Sequence, residues 1–261
     1  MAKRPTDQHD LTQIKIFSFS TDVKEGNDVD IVIQEVVHPH FGLYVWPSAI
    51  LLAAYLASNS QRLCTDRHVI ELGAGTGLPG LVCAKLNAKR VIFTDHHRNV
   101  NVLANLNRVL ELNNLVSSPR LCSAVGLCLG FNFVLLLQTR CQVAGLAWGQ
   151  YPQATAFGKE LCQKLGKQSK GPLLIGADVF YNKSQFDDLL STIEAFFECF
   201  PECECLLGFQ ERGSMFESLQ AAAKVWGLKV KEVQFDHDLE DEYESLMSNV
   251  HILRMSTEPR V

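Results

Sequence analysis

Apolar and polar positions alternate with a period of two near the start of the chain and then settle into a longer strand-and-helix rhythm. Residues 13–19 (QIKIFSF) and 30–37 (DIVIQEVV) carry β-branched and aromatic side chains in partial alternation. The turn-rich DVKEGNDV lies between them, so the pair predicts a β-hairpin in an N-terminal β extension over residues 1–45. Residues 46–56 (WPSAILLAAYL) are apolar almost all round, with Pro47 suited to a first helical turn. That pattern predicts a buried helix, too short for a bilayer span of ~20 residues, with its N-terminus able to face a ligand.

From His68 the period switches repeatedly. Strands are predicted at 68–72, 90–95, 142–148, 172–179, 204–210, 228–235 and 249–255, with helices at 78–87, 101–115, 183–198 and 214–225. Leu103, Leu106 and Leu110 recur at helical spacing, and Asn113-Asn114 supplies a stop. Such alternation implies βαβ units, hence an α/β fold with a Rossmann-like seven-stranded sheet and helices on both faces. The last two strands are expected to be joined by a polar loop and therefore to pair antiparallel. Residues 117–140 interrupt the rhythm of a domain spanning 46–261 as an atypical apolar insertion. Their apolar run from Ala124 to Leu137 is too short for a membrane helix. Two origins stay open for it: an extra helix or strand packed on the body, or a translated splice or gene-model error.

Composition narrows the class. Of 261 residues, 47% are hydrophobic and 20% charged, which excludes wholesale disorder. The net charge of −5 argues against broad phosphate neutralisation, so direct nucleic-acid binding is not expected and a protein with a basic segment suits the surface better. Nine cysteines are scattered without paired metal-ligand spacing, which predicts ordinary thiols, no metal and a reducing compartment. The opening MAKRPTDQHD lacks the apolar stretch of a signal peptide, so the expectation is a non-membrane protein of cytoplasm and nucleus.

The strongest local signal is Glu71-Leu-Gly73-Ala74-Gly75-Thr-Gly77, directly after an apolar strand and before a helix. Glycines there let a backbone approach a ligand closely. A dinucleotide fingerprint places its third glycine at position 78, which is Leu78 here, so the pyrophosphate reading weakens. An E-x-G-x-G-x-G loop resembles that of S-adenosylmethionine enzymes. Asp95 ends the next strand 22 residues after Gly73, near the ~20 expected of an acid that accepts ribose hydroxyls. Capping the turn before the following helix is its blander use.

Asp178 and Tyr181, in GADVFY, fall at the carboxyl edge of the fourth core strand, where ligands bind in open α/β sheets. Methyl transfer to nitrogen requires an oriented lone pair and a route for the proton. Arginine, with a pKa above ~12, leans on carboxylates that hold its guanidinium. Asp178 and Glu35 are therefore the candidate catalytic carboxylates, with Tyr181 as an aromatic wall; a strand-end hydrogen bond and core packing are the bland alternatives.

The blocks EVVHPHFGLYVWPSAILLAAYL, ELGAGTGLPG, LAWG and GADVFYNKSQFDDLLSTI together resemble the seven-strand S-adenosylmethionine-dependent protein methyltransferases of the methyltransferase-like group. They resemble most closely the branch that methylates histone arginine, whose near relatives methylate lysine. The resemblance implies S-adenosylmethionine as cofactor, held by Trp46, Glu71, Gly73, Ala74, Gly75, Asp95, Trp148 and Ala177. It also makes Asp178 and Tyr181 the ends of a D-x-x-Y motif that the lysine branch shares. Without it, Trp46 and Trp148 read as core aromatics.

His38 and His40 lie near the expected entrance as bases or as structural residues, and the acidic run 236–244 reads as a solvated loop or as an attractor of a basic peptide such as a histone tail. Three functions compete. The first is a protein methyltransferase acting on arginine of a histone, with lysine as runner-up. The others are a nicotinamide-dependent oxidoreductase and a non-catalytic cofactor-binding scaffold.

Overall fold

The computed structural model describes residues 11–22, 28–37, 41–115, 140–165, 171–235 and 237–257. The insertion at 117–139, His38, His40 and the tip of the hairpin turn lie outside the described residues. Strands β1 (Leu11–Phe19) and β2 (Val29–Val37) pair antiparallel from Leu11↔Val37 to Phe19↔Val29. Every second residue of β2, Ile31, Ile33 and Glu35, is buried. That alternation lays one face of the hairpin on the body.

A 3-10 turn over Phe41–Leu43 leads into helix α1 (Pro47–Ser58), whose N-cap is Trp46, and the single turn α2 (Ser60–Leu63). The body continues with β3 (His68–Glu71), α3 (Leu78–Lys85), β4 (Arg90–Asp95), α4 (Val100–Leu112), β5 (Cys141–Gly145), α5 (Tyr151–Leu165), β6 (Leu173–Ala177), α6 (Phe186–Cys199), β7 (Glu204–Gln210), α7 (Met215–Val225), β8 (Leu228–Glu232), α8 (His237–Met247) and β9 (Val250–Thr257). The seven-stranded sheet runs β5-β4-β3-β6-β7-β9-β8, with β9 antiparallel to both of its neighbours and every other pairing parallel. Strand β3 is buried at every position, as a central parallel strand covered on both faces must be.

Two apolar clusters flank the sheet. One gathers Ile31 and Ile33 of the hairpin with Leu52 and Leu56 of α1, Val82 of α3 and Leu106 of α4. The other packs Phe157 of α5, Ile193 and Phe196 of α6 and Leu219 of α7. The chain leaves β3 toward β4 on one side, and β6 lies on the other. The carboxyl ends of β3, β4 and β6 therefore converge on a topological switch point, where a crevice opens.

Several expectations need correction. The segment between β8 and β9 is the helix α8, not a loop, although the antiparallel pairing holds. Its acidic composition masks a one-sided apolar spacing, with Leu239 buried and Tyr243 and Met247 packed on the first cluster. Helix α5 carries no clear sequence period, because its apolar positions Ala154, Phe157 and Leu161 are diluted by polar neighbours. In α4 the buried stripe is Val102, Leu106, Val109 and Leu110, with Leu103 only half-buried. Among the described residues no helix is long and apolar enough to cross a membrane.

Candidate functional site

The crevice is a cavity of about 750 Å³, within the range of small-molecule sites. Its floor is the loop after β3. Gly73 and Gly75 hold φ of +57° and +55°, and Gly77 caps α3 at +78°. A Cβ on Gly73 would stand 2.8 Å from the Trp148 ring and 3.0 Å from Val179, and one on Gly75 would stand 3.2 Å from the Gly42 carbonyl. Only glycine satisfies both the backbone and the space at these two positions.

Asp95, buried at the end of β4, ties this floor together. Its Oδ2 accepts the Gly75 N–H at 3.1 Å, and its Oδ1 accepts the His96 N–H at 2.8 Å and the Asn99 amide at 3.1 Å. The tail of β5 hooks onto the same strand end, with the Leu146 N–H donating to the Asp95 carbonyl at 2.8 Å. Trp148 is thereby carried over Gly73. Trp46, set by the N-terminus of α1 and met edge-on by Tyr44 with ring centroids 5.6 Å apart, also lines the cavity.

Asp178 lines the cavity just past β6. It is buried, has a positive φ of 52°, and donates its N–H to the Gly208 carbonyl at 2.9 Å. Its carboxylate is gripped at two points by Arg212, from Nη1 to Oδ1 at 3.0 Å and from Nη2 to Oδ2 at 2.7 Å. Arg212 also donates to Gln210 Oε1 at 2.9 Å, and its guanidinium carbon lies 5.7 Å from the centre of the Trp46 ring. Tyr181 lines the same wall and is 47% exposed, so it fronts the cavity rather than filling the core. Burial, with the charges of Asp95 and Asp178, pushes its hydroxyl pKa up.

Trp46, Gly73, Ala74, Gly75, Asp95, Trp148, Ala177, Asp178 and Tyr181 all line this one cavity. Two sequence candidates do not. Glu71 is buried beneath the loop; burial, opposed by the Gly80 N–H and assisted by Asp95, raises its carboxyl well above the usual range. Glu35 accepts the Val45 N–H at 3.0 Å and pairs with Lys15 at 2.6 Å. It braces the segment that carries Tyr44 and Trp46. Among the described residues, the acidic run contributes none to the cavity.

Sequence reasoning missed Tyr44, Arg98, Asn99, Asp188 and Arg212, which also line the cavity. Arg212 was findable in principle, because it follows β7 by two residues at the ligand-binding edge. Among the described residues no cluster of three or more His, Cys, Asp or Glu side chains is placed to hold a metal ion.

Comparisons with known proteins fit this geometry. A family model described as lysine methyltransferase matches residues 25–124. Histone-arginine methyltransferase METTL23 of Xenopus laevis is 31% identical over 238 residues, which cover 89% of this chain and 86% of that protein. Protein N-terminal and lysine N-methyltransferase EFM7 of Cryptococcus neoformans is 34% identical over 158 residues, 60% of this chain and 44% of that one. Among solved structures, the S-adenosylmethionine-dependent methyltransferase of Agrobacterium tumefaciens shares the fold with a TM-score of 0.51 at 12% identity, over 88% of this chain and 68% of that one.

Proposed function

The chain belongs to the METTL23-like family of S-adenosylmethionine-dependent methyltransferases, and from that premise we propose that it methylates an arginine side chain of a protein, with a histone as substrate. The residues present fit the cofactor: the Gly73–Gly75 floor is a cradle that a Cβ would fill, and Asp95 beside it is a carboxylate, whose two oxygens can accept from both hydroxyls of a ribose. When bound, S-adenosylmethionine supplies a methyl group on an electrophilic sulfonium.

On this reading the chain's own residues divide the cavity in two. Asp95, the glycine floor, Trp46, Trp148 and Ala177 hold and orient the cofactor. Asp178 would orient the acceptor guanidinium, so that one nitrogen presents its lone pair to the cofactor side of the cavity. The proton of the acceptor nitrogen would leave through the Asp178 carboxylate to water. Tyr44, Trp46 and Tyr181 give that end aromatic walls.

One observation carries the arginine assignment. Asp178 already receives a guanidinium in a two-point fork beside the Trp46 ring, which is the geometry an arginine acceptor needs. A lysine acceptor is the second reading; Tyr181, half-exposed at the end of the D-x-x-Y motif, favours it, as does the likeness to EFM7. The test incubates the protein with core histones and isotope-labelled S-adenosylmethionine, hydrolyses the product and separates the amino acids. Labelled methylarginine is expected. Methyllysine alone would move the chain to the second reading, and saturable cofactor binding without label would make it a binding protein.

A further inference from the structure

The Arg212–Asp178 pair fills the place that the proposed acceptor needs. Asp178 has both carboxylate oxygens engaged, and its side chain is only 4% exposed. A buried carboxylate left bare is strongly disfavoured, so the place is emptied only when another cation takes it. Arg212 has a route out, because its side chain is 34% exposed and stands on the loop beyond β7.

We propose that Arg212 is a specificity-determining residue, an internal guanidinium that competes for Asp178 and so admits an acceptor arginine while rejecting an acceptor lysine. The inference rests on the arginine reading above. An incoming guanidinium reproduces what it displaces: two parallel N–H···O bonds to Asp178 and a delocalised cation over the Trp46 ring. The exchange is then nearly balanced, with Arg212 released to water.

An ammonium does not reproduce it. Its three donors radiate from one point, it is more strongly hydrated, and it cannot match a coplanar fork. Displacing Arg212 is uphill for lysine, so the competitor raises the threshold against it more than against arginine. Discrimination arises from a repulsive element as well as from an attractive one. Gln210, which takes one Arg212 N–H at 2.9 Å and does not line the cavity, sets how firmly the competitor is held.

The test uses two synthetic histone-tail peptides that differ only in carrying one arginine or one lysine, with wild type, Arg212→Gln and Gln210→Leu. In Arg212→Gln the KM for the arginine peptide is expected to fall, and the lysine-to-arginine ratio of kcat/KM to rise about tenfold, with cofactor Kd unchanged. Gln210→Leu keeps the ion pair and is expected to shift both quantities in the same direction by less; it decides the matter if Arg212→Gln does not fold. A raised KM or an unchanged ratio, with label still on the arginine peptide, would overturn the competitor role and leave the arginine reading standing. Wild-type label on the lysine peptide alone, or on neither peptide, would overturn both.

Discussion

The carboxylate of Asp95 reaches from the end of β4 to the neighbouring loop and accepts the backbone N–H of Gly75 at 3.1 Å. The same group therefore shapes the cavity floor and, on the proposed reading, takes the ribose. Asp95→Ala should weaken S-adenosylmethionine binding by at least ~30-fold, the scale expected for losing hydrogen bonds to a charged group. Asp95→Asn, which keeps an acceptor for Gly75, should weaken it less. Titrating the fluorescence of Trp46 and Trp148, both in the cavity wall, measures this.

Gly73 combines a left-handed backbone with a Cβ position 2.8 Å from the Trp148 ring. Gly73→Ala forces the ring or the loop to shift, and is expected to destabilise the fold by about 1–3 kcal/mol and to abolish measurable cofactor binding. Thermal unfolding with and without cofactor checks both effects: the variant should melt lower and lose the ligand-induced rise in Tm.

Glu35 stands under Val45 rather than in the cavity. Glu35→Gln keeps an oxygen for the Val45 N–H, so kcat is expected to stay within about threefold of wild type. Glu35→Ala frees the segment bearing Tyr44 and Trp46 and should raise the cofactor KM. A large fall in kcat for Glu35→Gln would instead return Glu35 to a catalytic role.

His68, the first residue of β3, is buried, and among the described residues neither ring nitrogen has a hydrogen-bond partner. Burial, with Lys89 and Arg90 nearby, lowers its pKa from 6.5 to about 4. Between those values the unfolded chain binds the proton and the folded chain does not, so stability falls as pH drops from about 6.5 toward 4 and this contribution levels off below. The loss is on the order of 1–3 kcal/mol. Urea midpoints of wild type and His68→Phe, compared from pH 7.5 to 4.5, should diverge toward acid, with the variant flatter.

Much of this arrangement is legible in the residues. The apolar run 68–72, the glycines that follow and Asp95 at its spacing place the switch point, because strand period and loop chemistry are local. Trp46 at the N-cap of α1 is likewise local, since Pro47 marks the first turn. What escapes is what tertiary packing decides. Helices α5 and α8 carry too few apolar residues for their period to stand out. Glu35 sits nine residues before Tyr44 in a block that points toward the site, yet its partners are Val45 and Lys15. The Arg212–Asp178 pair joins residues 34 apart in the chain. No periodicity marks such a contact.

Steady-state kinetics of Asp178→Asn with core histones, alongside its affinity for S-adenosylmethionine, tests most directly the claim that Asp178 marks the acceptor end of the cavity. The expected result is a fall in kcat of about 100-fold or more, with cofactor Kd within about threefold of wild type. Unchanged turnover would contradict the assignment.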